Sequence, residues 1–402
     1  MSLSERTTAR LRVPGSSLAP AARAGEALNN MLSSTTVAAM VVFAATRVIS
    51  LMTLVLLLPH GHFRNIHGAW AFLSRYDDAS WYANIAQHGY PRSEIGFFHF
   101  YPGYPAAIDT IAWIPGIGVH RAGIAVTALA GLAAAAGLAR LGLRLTGDAP
   151  TSLLLVALWA VAPGAMVLSM AYSEALICAL AAWALVAVVD HRWITAGVLT
   201  MLAGTVHSSA VALIAAVEVA ALIALVGAAR TGRLTLGTWL RPVAAGVMAP
   251  LGLIGFWVFV MLRQTQPGGW LLDEEKSGTS IDWGRSLWHV VSSTFLRTPR
   301  WITLLLVLVL LAAAALVAWS LTERMPAYLK VYILVTLLLV VLTNSFYLGS
   351  KPRILLPALI LGFPLARVLA PVPKHVLVPM IAILAVASAW LTLSAAAVGI
   401  AP

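Results

Sequence analysis

The sequence predicts an all-α polytopic membrane protein with about eleven transmembrane helices. Two observations predict this fold class. The 402 residues are 60% hydrophobic and only 10% charged, a balance far outside that of soluble domains. Apolar segments close to the length needed to cross a bilayer, about 20 residues, recur from residue 37 almost to the C-terminus. No stretch between them is long enough to form a separate soluble domain.

The predicted spans follow one another, most of them joined by short connections. They cover residues 37–58, 121–143, 151–168, 173–190, 193–207, 208–229, 242–263, 301–320, 331–348, 354–370 and 376–398.

The chain divides into a polar N-terminal segment and one membrane domain. Residues 1–34 are rich in Ser, Ala and Arg and lack an apolar core with a small-residue cleavage site. We therefore expect a disordered cytoplasmic segment and not a cleaved signal peptide. Residues 35–402 form the single membrane domain. We expect the functional residues in its two long outer connections, 59–120 and 264–300, because long ordered loops usually carry function.

The basic residues favour a plasma-membrane protein with a cytoplasmic N-terminus. In that orientation thirteen Lys and Arg residues lie in inner segments and eleven in outer segments, in line with the positive-inside rule. The outer ones either hold an anionic group or are solvated loop charges. Because the net charge of +11 is scattered between apolar spans, the expected partners are membrane lipids and phosphate, and nucleic acid is not expected.

Two adjacent acids, Asp77 and Asp78, stand in the first long connection, in RYDDASWYANIAQHGYP at residues 75–91. One carboxylate at the centre of a transmembrane helix costs about 2.5–3.5 kcal/mol, so the pair predicts a position at the water boundary. The residues that follow predict a short amphipathic surface helix that Gly89 closes. Asp78 or Ser80 can cap this helix, so the acids are either caps or functional groups.

The predicted surface helix has two distinct faces. The apolar face consists of Trp81, Tyr82, Ile85 and Ala86. The opposing polar face consists of Asn84 and Gln87. A second amphipathic element follows in FFHFYPGYPAAIDTIAWI, which proline interrupts too often for a span.

Several stretches resemble the PIG-V family, which comprises the second mannosyltransferases of GPI-anchor synthesis and their bacterial relatives. They are DASWYANIAQHGYP and FFHFYPGYP in the first long connection, PGAMVLSMAYSEALICAL at 163–180, and KPRILLPALILGFPLARVL at 351–369. They occur in the family's order over most of the chain. Where relatives have tryptophan, proline and arginine, this chain has Asp77, His99 and His207.

The resemblance implies the GT-C architecture, a bundle of transmembrane helices with amphipathic helices in the first extracytoplasmic loop. It also implies the transfer of a sugar, mannose in the family, from a polyprenyl-phosphate donor to a hydroxyl of a lipid or glycolipid acceptor. The reaction would take place at the extracytoplasmic face, with inversion and with an aspartate as general base. The family's essential acid matches Asp78, three residues before Trp81, and Asp77 is the alternative.

The other candidate site residues bind either phosphate or sugar. Arg353, Lys351 and Arg75 are candidates for the donor phosphate, or they are interfacial anchors. The candidates for sugar or acceptor binding are Glu174, Tyr172, Trp81, Tyr82, His99, Tyr101 and His207. Glu174 can instead pair with a base, and the histidines can be packing residues. No closely spaced set of metal ligands is visible, which predicts metal-independent chemistry without a cofactor.

Other functions stay open at this level. The sugar could be another prenyl-linked one, such as arabinofuranose or glucose. A transporter or lipid flippase would also have many spans, but it would place ionisable residues near the midplane and often show two similar halves. Here the acids gather outside, and the exceptions within spans are Arg47 and Glu218. A noncatalytic assembly subunit is a third class.

Overall fold

The computed structural model describes residues 18–58, 68–91, 97–232, 235–263, 280–296, 301–344 and 348–397. Its helices, in chain order, are α1 (Leu18–Leu57), α2 (Ala69–Arg75), α3 (Asp78–His88), α4 (Gly103–Ala112), α5 (Val119–Thr146), α6 (Ala149–Ala160), α7 (Glu174–Val189), α8 (Trp193–Gly204), α9 (Ala210–Arg230), α10 (Leu236–Met248), α11 (Leu251–Arg263), α12 (Arg285–Leu296), α13 (Trp301–Thr322), α14 (Ala327–Leu342), α15 (Lys351–Ile354), α16 (Phe363–Leu369) and α17 (Lys374–Ala397). Two 3₁₀ turns lie at Ala165–Ser169 and Leu348–Ser350. In these ranges the β-pairing consists of one isolated bridge, between Ile281 and Thr343.

The long helices confirm the predicted class, an all-α polytopic membrane protein. Six helical segments are long and apolar enough to cross a bilayer: Met31–Leu57, Val119–Thr146, Ala210–Arg230, Leu236–Arg263, Trp301–Thr322 and Lys374–Ala397. Four shorter apolar helices, α6, α7, α8 and α14, lie among them.

Helices α5 and α7 form the centre of the bundle, where small residues let their backbones approach closely. A Cβ atom at Gly137 of α5 would lie 2.9 Å from the Cβ of Ala182 on α7. The indole of Trp183 donates a hydrogen bond of 2.9 Å to the carbonyl of Ala133. Such contacts are typical of helix packing in membranes, where close van der Waals contact and hydrogen bonds replace the hydrophobic effect as the driving force.

The predicted span at residues 354–370 is wrong, because the chain there is not one helix. The short α15 ends at Ile354, turns follow, and α16 begins only at Phe363. Prolines cause the break, since each lacks an N–H and clashes with the preceding helical turn. Side chains satisfy the carbonyls that the break frees: Trp159 donates to Leu356 at 3.1 Å, and Tyr332 donates to Pro357.

The predicted span at 151–168 is also shorter than expected, because α6 ends at Ala160 before Pro163 and Gly164. The freed carbonyls again find donors. The buried guanidinium of Arg47, on α1, donates to the carbonyl of Ala165 at 2.5 Å and to that of Ala160. The intramembrane arginine therefore binds backbone, and this pairing offsets the cost of its burial.

The first long connection contains the two helices that the sequence predicts there, α3 and α4, and one that it does not, α2. Helices α2, α3 and α4 occupy the described parts of residues 59–120, of which 59–67 and 92–96 lie outside the described residues. On α3, Tyr82 and Ile85 are buried while Asn84 and Gln87 are exposed, as predicted. The second predicted amphipathic element forms α4. Aromatic rings join α3 to α4, with Tyr82 edge-on to Tyr104 at 4.9 Å between centroids.

The described residues cover only part of two segments for which the sequence makes a prediction, 1–34 and 264–300. Helix α1 begins at Leu18, inside the segment 1–34 for which we predict disorder, and residues 1–17 lie outside the described range. In the second long connection, 264–300, helix α12 is described and residues 264–279 and 297–300 are not.

Candidate functional site

Three segments that are far apart in the sequence meet at the guanidinium of Arg353. Its Nη2 lies 2.6 Å from Oδ2 of Asp78, and its Nε lies 3.5 Å from Oε1 of Glu174. The guanidinium carbon stands 5.0 Å from the centroid of the Tyr172 ring, in a cation–π arrangement. The structure thus brings together four of the residues that the sequence singles out. Three are charged side chains, and the fourth supplies an aromatic ring.

The backbone of Arg353 is held against a left-handed turn at Gly164. Gly164 has φ +83°, and a Cβ atom built there would lie 2.9 Å from the amide nitrogen of Arg353. Only glycine combines this φ with this close approach at no steric cost. The Pro163–Gly164 pair in an apolar run is the sequence signal for this turn, although proline and glycine alone do not mark a site.

The two aspartates occupy different environments at the start of α3. Asp78 is the first residue of the helix, and its side chain is 18% exposed and turned to Arg353. Asp77 precedes the helix with φ 49° and ψ −120°, and no side-chain hydrogen bond caps the helix. The expectation that Asp78 or Ser80 caps α3 is wrong, because Asp78 pairs with Arg353 and the Ser80 hydroxyl donates backwards to the carbonyl of Arg75.

Asp77 carries an unusual charge environment. The residue is exposed, but protein atoms around one side of its carboxylate partly desolvate it. This desolvation, followed by the negative charge of Asp78, raises the pKa of Asp77 to about 6, against the opposing attraction of Arg353.

A hydrogen-bond chain fixes the segment that carries Tyr172 and Glu174. The Tyr172 hydroxyl donates to the carbonyl of Tyr76 at 3.3 Å, and its own carbonyl accepts from the Thr127 hydroxyl at 3.2 Å. Ser173 and Tyr82 share a hydrogen bond of 2.8 Å. Because these side chains and carbonyls have structural partners, the segment presents Glu174 to Arg353 in one orientation. Tyr82 is therefore a buried supporting residue beside the site.

Arg353 and Glu174 still have hydrogen-bonding capacity. Nη1 of Arg353 and Oε2 of Glu174 are buried and have no hydrogen-bond partner among the described residues. Buried donors and acceptors are normally paired, so such atoms point to a ligand or to water. One donor and one acceptor, both charged, are thus available next to each other.

The two other predicted phosphate ligands do not lie with Arg353. The Nζ of Lys351, 1% exposed, donates to the carbonyls of Val340 and Thr343 at 2.9 and 2.8 Å and to the Thr343 hydroxyl at 2.8 Å. Its three donor positions are therefore used within the protein. Burial lowers the pKa of Lys351 to about 8, against the attraction of Asp282. Arg75 is exposed at the C-terminal end of α2.

His207 lies within electrostatic range of Arg353, Asp78 and His99. The amide of Ser209 donates to its Nδ1 at 3.0 Å. A nitrogen that accepts a hydrogen bond carries no proton, so the ring is neutral with its proton on Nε2. His207 is thus arranged to donate a hydrogen bond from Nε2.

The aromatic candidates extend from the site towards α11. The ring of His99 lies 5.3 Å from that of Phe100, and the exposed Trp81 stacks on Phe100 at 5.8 Å. Tyr101 is buried and packs against Phe256 at 4.4 Å, on the side of α11. These residues form an aromatic wall next to the charged cluster.

The described part of the chain contains no group of three His, Cys, Asp or Glu side chains arranged for a metal ion. Metal-independent chemistry stays a prediction.

Comparisons with known proteins give only weak structural likenesses. No family model matches the chain, and no curated protein matches it. Among solved structures it is similar to ArnT from Cupriavidus metallidurans, crystallised with undecaprenyl phosphate, at 13% identity and a TM-score of 0.47. The match covers 81% of this chain and 59% of ArnT, so the chain spans less than two thirds of that protein. The bound lipid is a property of ArnT, and the resemblance of this chain to the PIG-V family stays a prediction.

Proposed function

We propose that this chain is a membrane glycosyltransferase of the GT-C type. It would transfer a sugar from a polyprenyl-phosphate donor to a hydroxyl of a lipid or glycolipid acceptor at the extracytoplasmic face of the plasma membrane. Mannose is the sugar that the PIG-V resemblance implies. One observation carries the proposal: Arg353 lies between Asp78 and Glu174 over the Tyr172 ring, and these residues belong to three of the stretches that carry the resemblance.

The arrangement supplies what the reaction needs. A sugar bonded through C1 to a lipid phosphate already has a good leaving group, so the protein must add a base for the acceptor and a cation for the phosphate. The adjacent carboxylates of Asp77 and Asp78 include the base. The acceptor oxygen attacks C1 from the face opposite the phosphate, so a β-linked donor gives an α-linked product.

Arg353 is the proposed phosphate ligand. Its Nη1 is buried without a hydrogen-bond partner in the described ranges, and an arginine hydrogen bond to a phosphate oxygen is charge-assisted and strong. Two carboxylates already face the guanidinium, so the phosphate would add to an existing ion-pair network. Lys351 would act indirectly, by holding the start of α15, because its ammonium is bonded to α14.

The sugar would bind between the acidic and aromatic groups. The unpaired Oε2 of Glu174 can accept from a sugar hydroxyl, and His207 can donate from Nε2 to another. The exposed Trp81 offers an aromatic face to a sugar ring, beside His99. These roles are proposed for substrate binding and not for proton transfer.

A transporter is the main rival, and Arg47 counts against it. A transporter uses ionisable groups near the midplane to bind its cargo. Both terminal nitrogens of the Arg47 guanidinium donate to backbone carbonyls, which supports a structural role.

The deciding experiment incubates purified protein with radiolabelled prenyl-phosphate mannose, arabinofuranose or glucose and a panel of lipid acceptors. We expect transfer from one donor, with mannose first. The Asp77→Asn/Asp78→Asn double variant should show none, whereas Asp109→Asn, an exposed acid on α4, should match the wild type. If wild-type protein transfers no sugar but moves a prenyl-phosphate sugar across proteoliposomes, the chain is a flippase.

A further inference from the structure

We propose that Asp77, and not Asp78, takes the proton from the acceptor hydroxyl, while Asp78 positions Arg353. This inference rests on the proposed function and assigns separate roles to the two acids. It differs from what the family pattern implies, because the family's acid matches Asp78 and the family has tryptophan at the position of Asp77.

Asp78 is already engaged as the partner of Arg353. Its Oδ2 lies 2.6 Å from Nη2 of Arg353, and both side chains are largely withdrawn from water. Without Asp78 the guanidinium would be left with Glu174 alone, 3.5 Å away. A buried charge that loses its partner is costly, so the position of Asp78 suits it to hold Arg353 in place.

Asp77 differs from Asp78 in its exposure and in its backbone conformation. It is exposed, so an acceptor alcohol can reach its carboxylate. Its backbone stands at φ 49°, a region that residues other than glycine rarely adopt. Such strain costs about 1–3 kcal/mol and is concentrated at functional positions. The strained turn directs one acid outwards while the next residue enters α3 and faces Arg353.

The charged and titratable groups that face Asp77 come from each neighbouring element. They are Asp78 of α3, Arg353 of α15, the hydroxyl of Tyr76 before α3 and the hydroxyl of Tyr172 before α7. Desolvation and the charge of Asp78 raise its pKa to about 6. A base works best when its pKa lies just below the working pH, since it is then ionised and still holds a proton well.

Proton transfer to Asp77 accompanies the transfer of the sugar. The acceptor oxygen forms a bond to C1 of the sugar and gives its proton to the Asp77 carboxylate. The bond between C1 and the phosphate oxygen breaks, and its electron pair leaves with the prenyl phosphate, which gains one negative charge beside Arg353. Asp77 loses one negative charge in the same step, so the net charge of the site is unchanged. The proton then passes from Asp77 to water.

The test compares Asp77→Asn, Asp77→Glu, Asp78→Asn and Asp109→Asn by sugar transfer between pH 5 and 8. Wild-type kcat should rise with pH through about 6. Asp77→Asn should lower kcat by about 100-fold or more and abolish this rise, whereas Asp77→Glu should keep a rise. Asp78→Asn should move the rise to lower pH, because it removes the charge that helps to raise the pKa of Asp77, and should increase the KM for the donor. Asparagine has nearly the same size and shape as aspartate, and thermal unfolding in detergent checks that each variant is folded.

Several results would overturn this assignment. They are a wild-type profile that is flat over this range, an Asp77→Asn variant with kcat within a few-fold of wild type, or an Asp78→Asn variant whose rise lies at higher pH than that of the wild type. If the wild type transfers sugar and one of these occurs, the proposed function stands and only the role of Asp77 is lost. If the wild type transfers no sugar from any donor, both fall.

Discussion

Asp78 and Arg353 form an ion pair of 2.6 Å that joins the first turn of α3 to α15. Their side chains are only 18% and 13% exposed, so each charge depends on the other for compensation. The pair joins the first long connection, 59–120, to the proline-interrupted segment that begins with α15. It is therefore both a structural tie and the centre of the candidate site.

The Asp78–Arg353 pair should show strong energetic coupling. Arg353→Gln and Asp78→Asn should each lower the free energy of unfolding in detergent by about 3–5 kcal/mol, because each leaves a buried charge without its partner. The double variant should lose less than the sum of the two, by about 0.5–3 kcal/mol. Additive losses would mean that the two side chains do not interact in the folded protein.

Gly164→Ala should impair the site more than a comparable change elsewhere. The new Cβ would be forced to φ +83° and to 2.9 Å from the Arg353 amide, so α15 must shift. Gly147→Ala is the matched control, because Gly147 has φ +68° but no atom within 4 Å of its Cβ position. Both should lose about 1 kcal/mol or more of stability, and only Gly164→Ala should reduce donor binding. Equal donor binding by both variants would show that the Gly164 turn does not position Arg353.

Lys351 should make stability rise with pH. Burial places its folded-state pKa at about 8, below the ordinary 10.5. Between these values the unfolded chain binds more protons than the folded one, so the free energy of unfolding increases as pH increases. The contribution is complete above 10.5 and is lost as pH falls through 8. The difference in free energy of unfolding between the wild type and Lys351→Met, measured by thermal unfolding, should increase with pH. A difference that stays constant from pH 7.5 to 10 would contradict this prediction.

Arg47 should stabilise the fold by tying α1 to the end of α6. Arg47→Met removes the donors to the carbonyls of Ala160 and Ala165, and hydrogen bonds to a charged group contribute about 1.5–3 kcal/mol each. We expect a lower melting temperature, with Arg47→Lys intermediate because one ammonium replaces a two-pronged guanidinium. Arg121→Met, an exposed arginine of α5, should melt like the wild type. Equal melting of Arg47→Met and wild type would rule out the role in tying α1 to the end of α6.

Much of the fold could be predicted because the bilayer requires long apolar helices. The predicted spans at 121–143 and 301–320 each lie within a long apolar helix, and the span at 208–229 coincides with another except for its first two residues. Helix α3 buries Tyr82 and Ile85 as its pattern predicts. The spans at 151–168 and 354–370 failed for a different reason. Hydropathy is averaged over a window, so it does not register the helix breaks at Pro163, Gly164 and Pro357. The structure tolerates these breaks because Arg47, Trp159 and Tyr332 bind the freed carbonyls.

The sequence by itself determined the membrane class, the order of the helices and the position of two adjacent acids at the start of a surface helix. These follow from local composition and periodicity, which act over a few turns of chain. Only the tertiary structure decided that Asp78 pairs with Arg353 while Asp77 stays exposed, and that Lys351 binds α14 although it lies two residues from Arg353. Which charges become partners depends on helices distant in the sequence, since desolvation and Coulomb attraction act through space and not along the chain.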